Sequence, residues 1–401
     1  MTVKVVLAYS GGLDTSVAIP WIMEKYKTDV VTLTVDLGGR DISGVQERAL
    51  KAGATQAVVV DARETFVKEY VFPALKAGAI YEGEYPLATA LGRPLIAKLL
   101  VGVARDEGAY AIAHGCTGKG NDQVRFDIGT TALAPDLKVI APAREWNMSR
   151  EDEVSYAHQH GIPLVSTVAS PYSTDENIWG RSIEAGDLED PWREPPEEAY
   201  AWTVSVDNTP SQPHFVEIAF KEGIPTAVDG EPMDAVSLIQ ELNRLAGERG
   251  IGRIDHMENR LVGIKSREVY EAPAAVVLHK AHSALEAIAL GKPQARLKNR
   301  IAQEYAELVY NGLWFTRHRQ DLDAYVTSTQ RFVTGSVRMK LHKGTATVVG
   351  RKSPNSLYEH GLATYSSADQ FDHKASEGFI SIFGLPVRTQ ARLQPLKHGE
   401  Q

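Results

Sequence analysis

The chain has 401 residues, one cysteine and a formal net charge of −8. Its length predicts two domains, and 43% hydrophobic and 23% charged residues are typical of globular proteins rather than disordered or fibrous ones. The acidic balance disfavours general binding to nucleic acids or anionic membranes. No run reaches the roughly 20 apolar residues of a membrane helix. One cysteine and no visible secretory signal predict a reducing cytoplasm without disulfides.

The first half alternates short β-branched runs with helical patterns, which is typical of an α/β fold with a parallel sheet wrapped by helices. The predicted strands are Val3 to Tyr9, Val30 to Leu37, Gln56 to Val60, Tyr110 to Ala113 and Lys138 to Ala141. The predicted helices are 14–26, 43–53, 64–79 and 92–107. Pro20 predicts a kink inside the first helix, whereas Pro94 suits the first turn of the fourth.

The second half has a different character. Asp190 to Glu198 is rich in proline and charge, which predicts a surface connection. Phe215 to Phe220 alternates as an antiparallel strand does, and Met233 to Arg249 carries apolar residues at helical spacing. This half is therefore predicted to be α+β. Past Ala363 the chain is polar with few aliphatic anchors, so we expect it to need a partner subunit to be ordered.

A candidate phosphate loop, SGGLDTS, runs from Ser10 to Ser16 between the first strand and the first helix. Two glycines let backbone amides converge on an anion, and the helix N-terminus adds partial positive charge. Asp14 could hold a magnesium ion or cap the helix through the amides of Thr15 and Ser16, and both roles can coexist. A lone SGG is more often only a tight turn, so its context decides. No GxxxxGK[ST] occurs and no GxGxxG follows a predicted strand, which disfavours P-loop kinases and dinucleotide dehydrogenases.

A second motif, HGCTGKGNDQVRF, runs from His114 to Phe126 and follows the strand at 110. It combines three glycines with Thr117, Asn121, Asp122 and Arg125, a density of polar groups typical of small-molecule sites. The alternative is a flexible polar loop. That alternative does not explain so many glycines and amide side chains together.

These motifs carry a family resemblance. AYSGGLDTS resembles the loop of ATP pyrophosphatases, which break ATP between the α and β phosphates, and HGCTGKGNDQVRF resembles the signature of argininosuccinate synthases. Further segments agree over most of the chain: YEGEYPLATALGRPLIA at 81–97, PYSTDENIWGRS at 171–182, LEDPW at 188–192 and GRIDHMENRLVGIKSREVYEAP at 252–273. The resemblance implies a Rossmann-like, adenine nucleotide alpha hydrolase-like domain over 1–165, an α+β synthetase domain over 166–363 and a C-terminal oligomerisation tail over 364–401.

The resemblance also implies an activity. The expected enzyme is an ATP-dependent carbon–nitrogen ligase of arginine biosynthesis that adenylates citrulline and joins it to aspartate, releasing AMP and pyrophosphate. ATP would act as a substrate with Mg²⁺, without another cofactor or a dedicated metal site. We expect a cytoplasmic homotetramer that binds neither nucleic acid nor membrane.

The site residues follow by resemblance as well. The catalytic residues would be Asp14 and Asp122. ATP would be held by Ala8, Tyr9, Ser10, Gly11, Gly12, Leu13, Asp14, Thr15, Ser16, Val35 and Gly115. Aspartate would be held by Thr117, Asn121 and Asp122. Citrulline would be held by Tyr85, Thr89, Asn121, Arg125, Ser173, Ser182, Glu258 and Tyr270.

The chemistry of these groups suits the substrates. Arg125 is a bidentate partner for the citrulline carboxylate, and Glu258 suits its ammonium group. Asp122 would orient the amine of aspartate, and whether it also takes a proton stays open. Family members often carry serine where this chain has Ala90, so we expect the backbone at 90 or the hydroxyl of Thr89 to compensate.

Other candidates receive simpler interpretations. Cys116 is interpreted as a small packed side chain, and His279 and His282 as surface or interface histidines rather than metal ligands. His158 and His160 fit a helix C-terminus, where they favour the dipole. No GxSxG motif supports a serine hydrolase. The alternatives left open are another ATP pyrophosphatase, such as a tRNA-modifying thiolase, an amidotransferase synthetase or an asparagine synthetase, and a noncatalytic ATP sensor.

Overall fold

The computed structural model describes residues 3–163 and 171–396. The first part of the chain forms a five-stranded parallel sheet. The predicted strands are confirmed to within one or two residues at each end. Their order across the sheet is β3-β2-β1-β4-β5. They are β1 Lys4–Ala8, β2 Asp29–Asp36, β3 Gln56–Asp61, β4 Ala111–Ala113 and β5 Lys138–Ile140.

Helices cover both faces of this sheet. They are α1 Leu13–Tyr26, α2 Val45–Lys51, α3 Arg63–Phe66, α4 Phe72–Ala77, α5 Ala88–Asp106, α6 Asn121–Leu133, α7 Pro142–Glu145 and α8 Arg150–Gln159, with a π-helical turn at Val67–Val71. Successive side chains of β1 point to opposite faces, as the pleat requires. Val5 and Leu7 pack with α1, α2 and α8, whereas Val6 packs with α5 and α6. The strands are apolar throughout because both faces are covered.

Two helix predictions need correction. Pro94 lies well inside α5 rather than in its first turn, because α5 begins at Ala88. The hydroxyl of Tyr85 accepts hydrogen bonds from the amides of Thr89 at 3.0 Å and Ala90 at 3.3 Å. Two of the backbone N–H groups that a helix N-terminus leaves unpaired thus have a partner, several residues before the proline. Pro20 does lie inside α1, and the bend expected there remains a prediction.

Helix α6 is the second correction, because sequence analysis predicted no helix over Asn121–Leu133. Gly120 precedes the helix in an extended conformation, and Asn121 opens it. Apolar periodicity is weak in this segment, so the usual signal of a helix is missing. The consequence is functional, since Asn121, Asp122 and Arg125 occupy the first two turns of one rigid helix.

Two antiparallel sheets follow, with orders β11-β12-β7-β6 and β10-β9-β8-β13-β14. The strands are β6 Ser173–Asn177, β7 Gly180–Glu184, β8 His214–Lys221, β9 Ile224–Val228, β10 Glu231–Pro232, β11 Arg253–Asn259, β12 Lys265–Glu271, β13 Gly335–His342 and β14 Thr345–Lys352. The helices are α9 Ala235–Gly247, α10 Pro273–Ala289, α11 Lys292–Tyr310 and α12 Arg317–Thr329. Short 3₁₀ turns lie at Gly186–Glu189, Glu197–Ala199, Val206–Asn208 and Gln330–Phe332.

The predicted α+β character is confirmed. Strand β8 contains the predicted strand at 215–220, and α9 lies within the predicted helix at 233–249, with Ile239, Leu242 and Leu245 buried. The proline-rich segment is at the surface, where Trp192 is 95% exposed.

The chain divides into two compact units, Met1–Asn355 and Ser356–Gln401. The second unit contains α13 His360–Ala363, α14 Ala375–Phe383 and α15 Leu385–Leu393. The predicted boundary at 165 and 166 lies outside the described residues, and the three-part division stays a prediction. Among the described residues, no helix has both the length and the apolar character that crossing a membrane requires.

Candidate active site

The two sequence motifs meet at the centre of the parallel sheet. Strand β1 lies between β2 and β4, and the chain leaves β1 toward one face of the sheet and β4 toward the other. A crevice forms at the carboxyl ends of the strands where connections diverge in this way, and ligands bind there. The motifs touch: a Cβ atom on Gly115 would lie 2.9 Å from Cγ2 of Thr15. The structure therefore brings both predicted loops to one place.

The phosphate loop is held in shape by its own hydroxyls. Gly11 adopts a left-handed φ of +77°, which favours glycine. Oγ of Ser10 accepts a hydrogen bond from the amide of Gly12 at 3.3 Å and lies 3.0 Å from Oγ1 of Thr15. Ser16 donates to the carbonyl of Gly12 at 2.8 Å, and the hydroxyl of Tyr9 lies 3.0 Å from Oγ of Ser16. These bonds fix the loop between β1 and α1.

Asp14 lies in the first turn of α1, beside Glu153 of α8. Within the described chain it accepts no hydrogen bond from the amides of Thr15 or Ser16, so the capping role considered for Asp14 is not seen. Glu153 is buried, and this burial together with the charge of Asp14 raises the pKa of Glu153 to about 8. A cation beside Asp14 would favour the fully ionised pair. Two carboxylates this close together offer the oxygen ligands that a divalent cation prefers.

A buried carboxylate organises the second half of the site. Glu258 is 3% exposed and accepts hydrogen bonds from the hydroxyls of Tyr270 and Tyr310. Asn121 Nδ2 donates to Oε1 of Glu258 at 3.3 Å and to the Tyr310 hydroxyl at 2.8 Å. Tyr85 stacks on Tyr270 with ring centroids 4.3 Å apart. Four of the predicted citrulline residues, Tyr85, Asn121, Glu258 and Tyr270, thus lie together and form one wall of the candidate site.

An ionic network links this wall to the second motif. Asp122 accepts from Nη2 of Arg93 at 2.7 Å and from Nη1 of Arg125 at 2.9 Å. Burial opposes ionisation of Asp122, but the charges and hydrogen bonds of both guanidinium groups outweigh it and lower the pKa of Asp122 to about 2. Nε of Arg125 donates to the carbonyl of Tyr310 at 2.9 Å, which leaves Nη2 buried without a partner. Nη2 therefore keeps hydrogen-bonding capacity that no described residue uses.

The remaining predicted residues are placed as follows. Ser182 of β7 pairs with Tyr270 on one side and Asp175 on the other, so the three side chains share one face of the sheet. Ser173 lies on that face at the exposed start of β6, and no described hydrogen bond joins it to the other citrulline residues. Thr89 is buried in the first turn of α5. Thr117 is exposed in the loop before α6, and Val35 is near the end of β2.

Three residues of the site were missed by sequence analysis. Arg93 bridges Asp122 and Asp175, and Tyr310 bonds to Glu258 from the end of α11. Arg93 and Asp175 stand inside quoted family segments, so their signal was present. Tyr310 stands in no recognised motif, and only the packing of α11 brings it here.

The loop of the second motif has its own support. His114 is fully buried, its Nδ1 accepts a hydrogen bond from the amide of Cys116 at 3.2 Å, and its Nε2 lies 2.9 Å from Oδ1 of Asp127. These contacts require the proton on Nε2 and tie the loop to α6. Burial raises the pKa of Cys116, so its thiol stays protonated near neutral pH. The interpretation of Cys116 as a packed side chain is confirmed.

One histidine interpretation is wrong. His282 is 1% exposed, and its Nε2 lies 2.9 Å from Oε1 of Gln330, so it is a core residue rather than a surface or interface one. His279 is partly buried and lies near Trp179. By contrast, His158 and His160 do end α8, as predicted. No group of three or more metal-ligating side chains is assembled in the described ranges.

Comparison with known proteins identifies the family. The model described as "Arginosuccinate synthase N-terminal HUP domain" matches residues 4–163, and "Arginosuccinate synthase C-terminal domain" matches residues 172–390. An argininosuccinate synthase of Dehalococcoides mccartyi is 57% identical over 100% of this chain and 99% of that protein. Those of Gloeobacter violaceus and Symbiobacterium thermophilum are 58% and 56% identical, each over 98% of this chain and 99% of the relative. The resemblance seen in the sequence is confirmed, and this chain belongs to the argininosuccinate synthase family.

Proposed function

We propose that the crevice described above joins citrulline to aspartate at the expense of ATP, with the residues assigned below. As a member of this family the chain is an ATP-dependent ligase that forms argininosuccinate, AMP and pyrophosphate in arginine biosynthesis. The observation that carries the residue assignment is the contact between Gly115 and Thr15. It places the phosphate loop next to the motif that leads to Asn121 and Asp122.

ATP would lie along the loop from Ala8 to Ser16, with Val35 and Gly115 beside the nucleoside. The amides after Gly11 and the N-terminal end of α1 would hold the phosphates. Asp14 would face a magnesium ion bound to those phosphates, and that ion would supply charge neutralisation to the leaving group. No other cofactor is proposed.

Citrulline would lie against Tyr85, Tyr270 and Glu258. The buried carboxylate of Glu258 would receive the substrate ammonium, and the free Nη2 of Arg125 would receive its carboxylate. Bidentate binding by both terminal nitrogens of Arg125 would require Nη1 to leave Asp122. Thr89, Asn121, Ser173 and Ser182 would serve the remaining polar groups. The amide of Ala90 is bonded to the hydroxyl of Tyr85, so Thr89 is the better candidate to replace the missing serine.

The reaction sequence follows from the chemistry of a urea. A ureido carbon is a poor electrophile and its oxygen a poor leaving group, so AMP is first placed on that oxygen. The amine of aspartate, held by Thr117, Asn121 and Asp122, then attacks and AMP leaves. Positioning and charge stabilisation carry these steps, without an enzyme nucleophile. Asp122 stays ionised near neutral pH and can orient the aspartate ammonium group, but a carboxyl group with a pKa of about 2 is a weak base for its proton.

The test is release of pyrophosphate with citrulline, aspartate and ATP supplied separately and together. Pyrophosphate that forms only when citrulline is present supports the proposal. Release that depends on tRNA instead would support a tRNA-modifying pyrophosphatase. Binding of ATP without any turnover would support a noncatalytic sensor.

Assembly and location complete the proposal. We infer a homotetramer in the cytoplasm, with residues 364–401 contributing to subunit contacts and with no nucleic-acid or membrane partner. In α14, Phe379, Ile380 and Phe383 are exposed and apolar, as a segment covered by another subunit would be. Light scattering that returned the mass of a single 43.9 kDa chain would contradict this assembly.

A further inference from the structure

Two arginines flank the phosphate loop and have no role in the assignment above. Nη2 of Arg40, which follows β2, donates to the carbonyl of Ser10. Arg48 lies in α2, where Nη1 donates to the carbonyl of Ser43 at 3.0 Å. Neither guanidinium forms an ion pair with a carboxylate anywhere in 3–163 or 171–396, whereas Arg93 and Arg125 are both paired with Asp122. Two guanidinium groups without a direct carboxylate partner thus lie beside the loop, in a chain whose net charge is −8.

The position of Arg48 depends on Gly11. A Cβ atom on Gly11 would lie 3.1 Å from Nη2 and 3.6 Å from Nε of Arg48. The absence of a side chain at Gly11 thus lets the guanidinium group lie directly against the loop backbone. Nε is buried without a hydrogen-bond partner, and Nη2 has none in the described contacts. One end of the group is anchored on Ser43, and the edge formed by Nε and Nη2 faces the loop.

That edge suits one chemical class of ligand. The parallel N–H bonds of Nε and Nη2 match two oxygens of a phosphate, and a bidentate pair of this kind is stronger than a neutral hydrogen bond. We propose that Arg48 binds the outer phosphates of ATP and stabilises the departing pyrophosphate. Arg40 holds the carbonyl of Ser10 and so positions the loop.

The role of Arg48 rests on the proposed function and extends it. In the adenylation step the ureido oxygen bonds to the α-phosphorus while the α–β anhydride bond breaks. The electron pair of that bond stays on the β-phosphate oxygen, so negative charge grows on the leaving pyrophosphate. A guanidinium beside the loop opposes that charge at the moment it develops. Arg48 touches neither citrulline nor aspartate in this arrangement.

The experiment measures binding of pyrophosphate and of AMP to the full-length protein by calorimetry, which needs no turnover. We expect Arg48→Gln to weaken pyrophosphate binding by about tenfold or more while AMP binding changes by less than about twofold. Arg48→Lys keeps the charge but loses the paired edge, so its affinity should lie between those of the wild type and Arg48→Gln. Arg105→Gln is the matched control, because it removes the same charge from an exposed pair with Asp136.

The outcomes separate this inference from the proposed function. Unchanged pyrophosphate affinity in Arg48→Gln would overturn the role of Arg48, even if the wild type releases pyrophosphate only with citrulline. Equal weakening of pyrophosphate and AMP would also overturn it, since a damaged loop rather than a lost phosphate contact would be the cause. Pyrophosphate release that ignores citrulline would overturn the proposed function alone, because the binding comparison stands without it.

Discussion

The carboxylate of Asp122 forms ion pairs with two buried guanidinium groups, one oxygen with Arg93 and the other with Arg125. Removal of a charge from such a cluster leaves an uncompensated cation, which is costly in a buried setting. The low pKa of Asp122, about 2, has a defined consequence for folding. Its stabilising contribution is complete above its ordinary value near pH 4 and is lost as the pH falls toward 2.

Asp122→Asn tests the assigned role directly. We expect turnover to fall by at least about 100-fold, because the neutral amide cannot orient an ammonium group as a carboxylate does. ATP binding, measured by calorimetry, should survive because the phosphate loop is intact. Asp136→Asn is the control just beyond the same helix, since Asp136 is exposed and pairs with Arg105 instead. Unaffected turnover in Asp122→Asn would refute the role.

Tyr310 supplies the second prediction at this scale. Its hydroxyl donates to Glu258, and its ring lies under the guanidinium of Arg125 at 4.9 Å. We expect Tyr310→Phe to raise the KM for citrulline by about tenfold, the effect of one hydrogen bond to a charged group, with the KM for ATP unchanged. Tyr305→Phe, on the same helix, loses a bond to Asp323 instead and should leave the KM for citrulline unaltered. Equal KM shifts in both variants would show that α11 moves as a whole.

At the scale of elements, one carboxylate joins a strand to a loop. Glu271 ends β12 and is fully buried. It accepts hydrogen bonds from the amides of Ala201, Trp202 and Thr203 and from Arg181. Strand β12 also carries Tyr270, so this junction supports the proposed citrulline pocket from behind.

Glu271→Gln measures that support. The substituted amide would place N–H groups against N–H donors, and the guanidinium of Arg181 would lose its charged partner. We expect the free energy of unfolding to fall by about 3 kcal/mol, as is usual when a buried ion pair is broken on one side. Denaturant titration gives the value. Glu248→Gln is the control, because Glu248 is 46% exposed where it pairs with Arg244 and Arg249, and its loss should change stability by less than about 1 kcal/mol. A similar loss in both variants would contradict a special role for Glu271.

For the whole molecule, buried histidines couple folding to pH. His282 packs beside Glu286, Gln330 and Lys298, and its burial lowers its pKa below the ordinary 6.5. The folded state therefore binds this proton less readily than the unfolded chain. Stability from His282 is complete above about pH 6.5 and falls as the pH drops below that value.

The pH dependence can be measured by unfolding between pH 4 and 8. The contribution of His282 to the free energy of unfolding should decrease as the pH falls below about 6.5, and the pH profile of His282→Gln should lack that decrease because one titrating group is gone. His318→Gln, at an exposed position paired with Glu304, should leave the slope unchanged. A slope that is identical in the wild type and His282→Gln would show that other groups dominate.

Local chemistry alone determined much of this protein. The strands of the first sheet are continuous β-branched runs, and the phosphate loop is a glycine pair between a strand and a helix, so both could be predicted from neighbouring residues. The family motifs predicted the reaction and most residues of the proposed site. The comparisons with known proteins confirmed the family. Helix α6 was not predicted because its sequence lacks the apolar periodicity of a helix that packs on a core. Its polar residues belong to the candidate site instead.

Only the tertiary structure decided which distant residues meet. Tyr310 reaches Glu258 across 52 positions of sequence, and Arg93 reaches Asp175 across 82. The burial of His282 likewise depends on packing against a segment far along the chain. Such contacts arise from the order of strands in the sheets and the packing of helices upon them. No local sequence pattern predicts these contacts. Each of these polar residues could equally lie at the surface, and only the position of its distant partner in the fold decides otherwise.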